Sequence, residues 1–266
     1  MTSSLYIQVA EQAGKTILKN CFFNPPYKVA NITEDKNAAT LHLMLMSASP
    51  GVLDGDSNSM QIDVEENAAL RLHTQSYQRI YTMKQQATQQ NIINIRQNAQ
   101  LCFIPHPVVP HKTSSFIADT KIYLEKNASL VWGEVISCGR KLNGEIFLFS
   151  KYHSKTSIYY QNKLVLKENL LLEPSKQNLL SIGQWQQYTH QATLIFLNDQ
   201  MPVNDLKEKL LRHLSQEVNI SFGISKAAFG GFLVRILGQQ AEQLFDCLRN
   251  LSQQILNEQQ LQAHAF

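Results

Sequence analysis

Apolar and polar positions alternate along much of the first 190 residues, and the alternation comes in copies. Ile62-Asp-Val-Glu-Glu-Asn67-Ala68-Ala-Leu70-Arg-Leu72 is followed 31 residues later by Ile93-Asn-Ile-Arg-Gln-Asn98-Ala99-Gln-Leu101-Cys-Phe103. After a further 29 residues comes Ile122-Tyr-Leu-Glu-Lys-Asn127-Ala128-Ser-Leu130-Val-Trp132, and a looser fourth copy runs Leu164-Val-Leu166-Lys-Glu-Asn169-Leu-Leu-Leu172. A period of two on both sides of the Asn marks half-buried strands. The Asn itself tolerates a left-handed backbone, so the centre of each copy suits a tight turn. Each copy is therefore a β-hairpin or a corner between two strands. Units of this size that bury only one face must stack to close a core. The pattern predicts a mainly β fold: stacked β-hairpins forming a β-helix-like or twisted-sandwich body over residues 1–190. An ordinary antiparallel sandwich is the alternative. Leu5, Ile7 and Val9 alternate in the same way, and residues 40–46 read as an apolar strand.

The period changes after about residue 190. Residues 192–197, 219–224 and 231–237 read as strands. Leu206, Leu210 and Leu214 recur at helical spacing, with Asn204 or Asp205 as the cap. Ala241, Leu244, Phe245, Leu248, Leu251 and Ile255 form one helical face. Residues 191–266 are thus expected to make a small C-terminal α/β lobe with two helices, packed on the β body as one compact unit, with a frayed tail from Gln259.

Charge narrows the function classes. Charged residues make up 17% of the chain and the net charge is +3, too little clustered charge for a general nucleic-acid binder. Residues 140–176 carry seven Lys or Arg against three Glu, interleaved with Tyr152, His153, Tyr159 and Tyr160; an RNA-binding module is the weakest of three readings. No apolar run is long enough to span a bilayer, and the start Met1-Thr-Ser-Ser lacks a basic, then apolar, signal pattern. Cys21, Cys102, Cys138 and Cys247 are scattered without a CxxC pair, which fits a reducing cytoplasm. No nucleotide-binding, hydrolase or zinc motif is present. The most ligand-like segment is Cys102-Phe-Ile-Pro-His106-Pro-Val-Val-Pro-His111, followed by the acidic loop Asp54-Gly-Asp56 and the turn from Arg140 to Gly144-Glu145. His42, His73, His153 and His190 stand isolated in sequence. None of these has the spacing of a tight four-ligand site.

The order of these loops resembles that of the urease accessory proteins of the UreD, or UreH, family. The matching stations are Pro50-Gly51 to Gly55-Asp56, then Thr74-Gln75, then Pro105 to Pro110, then Arg140 to Gly144-Glu145, and last Phe232-Leu-Val-Arg235-Ile-Leu-Gly238. Many relatives carry two glycines after the first proline, where this chain has Gly51-Val52. The resemblance implies a β-rich, non-enzymatic scaffold in the cytoplasm. It would bind a UreF-type partner, recruit a UreG-type carrier, dock on apo-urease and help deliver nickel, by way of an internal passage. Nickel would bind transiently, with no tightly held cofactor. Asp54, Asp56, His106, His111 and Glu145 have suitable chemistry for such a path. The competing class is a carbohydrate-active enzyme using paired carboxylates on a β-helix-like fold.

Overall fold

The structure, a computed structural model, describes residues 1–263. In chain order the strands are β1 (Thr2–Gln12), β2 (Lys15–Phe23), β3 (Tyr27–Asn31), β4 (Leu41–Ser47), β5 (Ser57–Val64), β6 (Ala69–Thr74), β7 (Gln78–Ile80), β8 (Ala87–Ile95) and β9 (Gln100–Phe103). They continue as β10 (Val108–Pro110), β11 (Ser115–Leu124), β12 (Ser129–Ser137), β13 (Lys151–Tyr160), β14 (Lys163–Leu172), β15 (His190–Asn198), β16 (Ser221–Lys226) and β17 (Gly231–Gly238). Helix α1 (Asn204–Leu214) precedes β16, and α2 (Ala241–Ala263) follows β17. The first sheet has the order β14-β13-β11-β8-β5-β1-β2; the second runs β16-β17-β15-β12-β9-β6-β4-β3, with β7 and β10 beside it.

The repeat explains this layout. Asn67, Asn98 and Asn127 adopt φ of 61°, 58° and 59°, the left-handed region that Asn reaches at low cost. Each turns the chain from the first sheet into the second: β5 to β6, β8 to β9, β11 to β12. Of hairpin and corner, the structure has the corner. Successive copies then lie side by side in parallel, β5 on β8 on β11 and β6 on β9 on β12. Stacked coils, rather than an antiparallel sandwich, form the centre of the body. The small residue after each Asn, Ala68, Ala99 or Ala128, is buried under the corner.

The fourth copy is not a corner. Residues 163–172 form one unbroken strand antiparallel to β13, with Asn169 opposite Lys155. Chain reversal happens earlier, at Gln161 and Asn162, both left-handed. Edge strand β14 leaves its polar Lys-Glu-Asn run next to solvent, so no turn is needed there.

Inward residues align in rows across the first sheet. Ile7, Ile62, Ile93, Ile122 and Ile158 are neighbours in register and all are fully buried. Facing them on the second sheet are Leu43, Leu72, Phe103, Trp132 and Ile195. Each buried aliphatic of this size contributes roughly 1.5–3 kcal/mol. This is the larger apolar cluster between the sheets, and it lies toward the Asn corners.

The C-terminal strands extend the second sheet, and both helices pack on its outer side. The expected strand from 219 starts at Ser221, and α1 begins at Asn204 with no side-chain cap. Leu244, Phe245, Leu248, Leu251 and Ile255 bury one stripe of α2 against β12, β15 and β17. α2 also continues beyond Gln259 to Ala263, where fraying was expected; residues 264–266 lie outside the described residues. No helix among the described residues is long and apolar enough to cross a membrane.

Candidate functional site: a polar belt between two apolar plugs

Two rows of the first sheet break the apolar pattern. One reads Met60, Asn91, Thr120 and Thr156; the next reads Ser3, Asn58, Gln89, Ala118 and Ser154. Beyond them the interior becomes apolar again around Ile80, Phe116, Ile136, Phe149 and Tyr152. Two apolar plugs therefore close a polar belt between the sheets. The belt surrounds a cavity of about 220 Å³.

A chain of hydrogen bonds runs along the belt, as buried polar groups require. Asn91 Nδ2 donates to Thr120 Oγ1 at 2.9 Å, Gln89 Nε2 to Asn91 Oδ1 at 3.1 Å, and Gln78 Nε2 to Gln89 Oε1 at 3.1 Å. Across the cavity β12 contributes one carboxylate, Glu134. Its Oε1 accepts from Trp132 Nε1 and Thr156 Oγ1, both at 3.0 Å, and its Oε2 accepts from Ser154 Oγ at 3.1 Å. Glu134, Trp132 and Ser154 also wall a second void of about 20 Å³, which is lined further by Glu168, Gln191 and Thr193 of the opposite flank. Glu134 thus stands as a partition between a wide chamber and a narrow one. Tyr152, fully buried beside this carboxylate, has its phenol pKa raised by burial first and by Glu134 second.

The mouth of the wide chamber is built by the family-pattern loops. Pro50, Gly51, Thr74, Gln75 and His106 line it, together with Tyr27 and Asp56. Gly51 is required by a close approach: a Cβ there would collide with the Arg79 carbonyl oxygen. Thr74 Oγ1 accepts from the His106 backbone N–H and contacts His106 Nδ1, both at 2.8 Å. His106 also lies against the Phe245 ring, 4.5 Å between centroids. Burial, the largest influence on it, lowers its pKa and so favours the neutral imidazole. Asp56 holds the N-terminal amine at 3.0 Å and the Leu53 backbone N–H at 2.8 Å. Burial, with Asp56 nearby, pushes the Tyr27 phenol up to about 12.

Of the five candidate path residues, Asp56 and His106 line the chamber. The others are occupied in loops. Asp54 accepts the backbone N–H groups of Lys84 and Gln85, each at 3.0 Å. Glu145 is paired with Arg140 and accepts the Lys112 N–H at 3.1 Å; the Arg140 hydrogen bond is the main cause of its lowered pKa. His111 is buried against Tyr81, 4.7 Å between ring centroids. Among the remaining pattern residues, Gly55 and Gly144 are left-handed turn glycines, and Arg235 pairs with Glu168. His42 and His73, isolated in sequence, stack across β4 and β6 at 5.6 Å. Among the described residues no group of three or more His, Cys, Asp or Glu is placed to hold a metal ion.

Glu134 is the residue that sequence reading passed over. The signal was present: the alternation Leu130-x-Trp132 continues to Glu134 and Ile136, which sets a carboxylate on the inward face. The hydroxyls that hold it, Ser154 and Thr156, come from a strand twenty residues away, and no spacing announces that pairing.

The chain matches the UreD urease accessory protein family over residues 1–266. It is 40% identical to the urease accessory protein UreD of Flavobacterium johnsoniae, over 96% of this chain and 92% of the relative. It is 36% identical to UreD of Acetivibrio thermocellus, over 93% of this chain and 94% of that one. It is also 36% identical to the urease accessory protein UreH of Helicobacter hepaticus, over 90% and 92%. These names describe accessory factors rather than catalytic subunits. A match over the whole length, with relatives 36–40% identical across nine-tenths or more of the chain, makes this chain a member of the UreD urease accessory protein family.

Proposed function

We propose that this chain acts in the cytoplasm as a scaffold that binds a UreF-type partner and apo-urease, receives nickel from a UreG-type carrier, and passes the ion toward the urease active site. The observation that carries the reading is the belt around Glu134. The Glu134 carboxylate, flanked by the Ser154 and Thr156 hydroxyls and facing the Arg235-paired Glu168 across the narrow void, offers a divalent cation an attractive but incomplete ligand set. A path must bind weakly enough to release, and a four-ligand cage would trap the ion. Asp56 and His106 at the mouth supply donors of the same graded kind. The apolar plugs on either side favour travel along the belt over escape between the sheets, since an ion leaving it would lose its oxygen partners.

The large apolar groups of the C-terminal lobe serve mainly to pack it on the second sheet. Phe232 and the α2 stripe are core, and Phe229 lies on the Tyr160 ring at 4.0 Å. Val218 and Leu261 are exposed singly on the lobe, whereas exposed aliphatics gather at Leu142, Ile146 and Leu148 and at Leu180 and Ile182. These are better placed to give a partner an apolar patch. Their two loops are braced from within by Phe147 against Trp185, 5.1 Å between centroids.

The test is genetic and chemical. In a urease-positive host lacking this gene, urease polypeptide should accumulate without nickel, and excess nickel should restore part of the activity. Complementation with the native gene should restore nickel content, and Glu134→Leu should not. Full nickel loading in the deletion strain would reject the proposal.

A further inference from the structure

Both helices cover the second sheet, and the outer face of the first is bare among the described residues. Its chemistry is uneven. Register along β11, β13 and β14 sets three outward rows: Asp119, Lys155 and Asn169; Lys121, Ser157 and Lys167; Tyr123, Tyr159 and Leu164. Adjacent strands are about 4.8 Å apart, so Lys121 and Lys167 flank Ser157 at roughly 10 Å separation. Tyr123 and Tyr159 stack beside them, 5.0 Å between centroids and 15° between planes.

The acids on and beside these three strands are ion-paired, and Asp63, two strands farther along the Tyr123 row, accepts from Asn94 Nδ2 at 2.7 Å. Asp119 is held by Lys155 at 2.7 Å, Glu125 by Arg96 at 2.8 Å, and Glu168 pairs with Arg235 of the second sheet. Lys121 and Lys167 are exposed and form no ion pair with any of the described residues. The local field is therefore positive although the whole chain carries only +3. Beside the lysines the face is apolar, with Ile92 and Leu164 both exposed.

We infer that this face, centred on Lys121, Lys167 and the Tyr123–Tyr159 pair, docks an acidic segment of a protein partner. Charge complementarity selects the acidic character. The exposed aliphatics select protein over RNA: Ile92 and Leu164 give a sugar-phosphate chain nothing to bind, whereas they can cover apolar side chains between the carboxylates. The tyrosines, stacked on each other, form a rigid apolar floor rather than a slot for a base. The inference stands apart from nickel passage, because none of these residues lines the chamber.

The test uses the full chain and a fluorescein-labelled glutamate–tyrosine copolymer, followed by anisotropy. The copolymer should bind at low salt and weaken as salt rises. Lys121→Glu with Lys167→Glu should lower the affinity about tenfold or more, and Asp119→Asn, which frees Lys155, should raise it. All three positions are on the surface, so an unchanged melting temperature serves as the folding control. Polyuridine RNA should compete poorly. Undetectable binding to the native chain, equal binding by the charge-reversed variant, or polyuridine binding as tightly as the copolymer would each overturn the inference.

Discussion

Asn98 donates its Nδ2 hydrogen to Asn67 Oδ1 at 3.0 Å, and so joins two corners of the fold that are 31 residues apart in sequence. Asn127 repeats the bond to Asn98 at 2.9 Å. The same side chain that permits the left-handed turn also ties each coil to the next. Asn98→Ala loses two side-chain hydrogen bonds and places a Cβ residue without local compensation at φ 58°. It should cost about 2–3 kcal/mol, and Asn98→Gly about 1 kcal/mol less, because glycine removes the backbone part of the penalty. Urea denaturation of both variants checks the order.

Ile93 sits at the middle of the isoleucine row with no exposed surface. Ile93→Ala should destabilise the chain by about 2–5 kcal/mol. Ile92→Ala, one position along on the outer face, should stay within about 0.5 kcal/mol. A pair of melting curves separates the two faces of one strand.

At Glu134, Glu134→Gln keeps the shape and one acceptor oxygen but removes the charge. The variant should fold with a near-native melting temperature and should lower nickel loading of urease in the complemented deletion strain. Nickel content per urease is the readout. Equal loading by Glu134→Gln and the native chain would show that the carboxylate charge is dispensable.

His190 is buried, with Nδ1 2.8 Å from Thr189 Oγ1, and burial first, Lys141 second, lowers its pKa to about 4. The ordinary imidazole value is about 6.5. Between those values the unfolded chain takes up a proton that the folded chain refuses. Stability from this group is therefore complete above pH 6.5 and is lost as pH falls toward 4. His73, lowered to about 4 mainly by burial, acts in the same direction. His190→Gln should flatten the decline, as measured by melting temperature from pH 7.5 to 4.5.

Gly51→Ala pushes a methyl group onto the Arg79 carbonyl, where the 49–52 loop meets the β7 segment. The loop must shift, and it carries the rim of the chamber. Loss of nickel loading should accompany a modest fall in melting temperature, whereas Gly55→Ala, with open space around it, should show only the strain of its left-handed φ of 75°.

The repeat was legible because its physics is local. Alternation at Ile62, Ile93 and Ile122 fixes which side of each strand is inward, and Asn67, Asn98 and Asn127 mark where the chain can turn left-handed. Whether the turned strands pair with each other or with the next copy is a tertiary matter, and Asn169 shows that the motif alone does not impose a corner. The C-terminal helices were readable from the spacing of Leu206, Leu210 and Leu214 and of Leu244, Leu248 and Leu251. The chamber was half legible. Asp56 and His106 stood out as ligand-type residues in loops, but Glu134 became interesting only beside Ser154 and Thr156. Asp54 and Glu145 looked equally suitable in sequence and are spent on backbone N–H groups and on Arg140.

The parallel stacking of coils has a consequence during synthesis. β5 cannot find β8 until about thirty more residues have been made, which takes roughly 2–6 seconds at ribosomal speeds. Throughout that interval the nascent strand exposes an unpaired edge and an isoleucine face, and every later coil repeats the wait. Such a chain folds slowly for its size and stays vulnerable to self-association when it is made faster than it can close. Its yield as a soluble product should therefore depend on the rate of expression as much as on the stability of the finished fold.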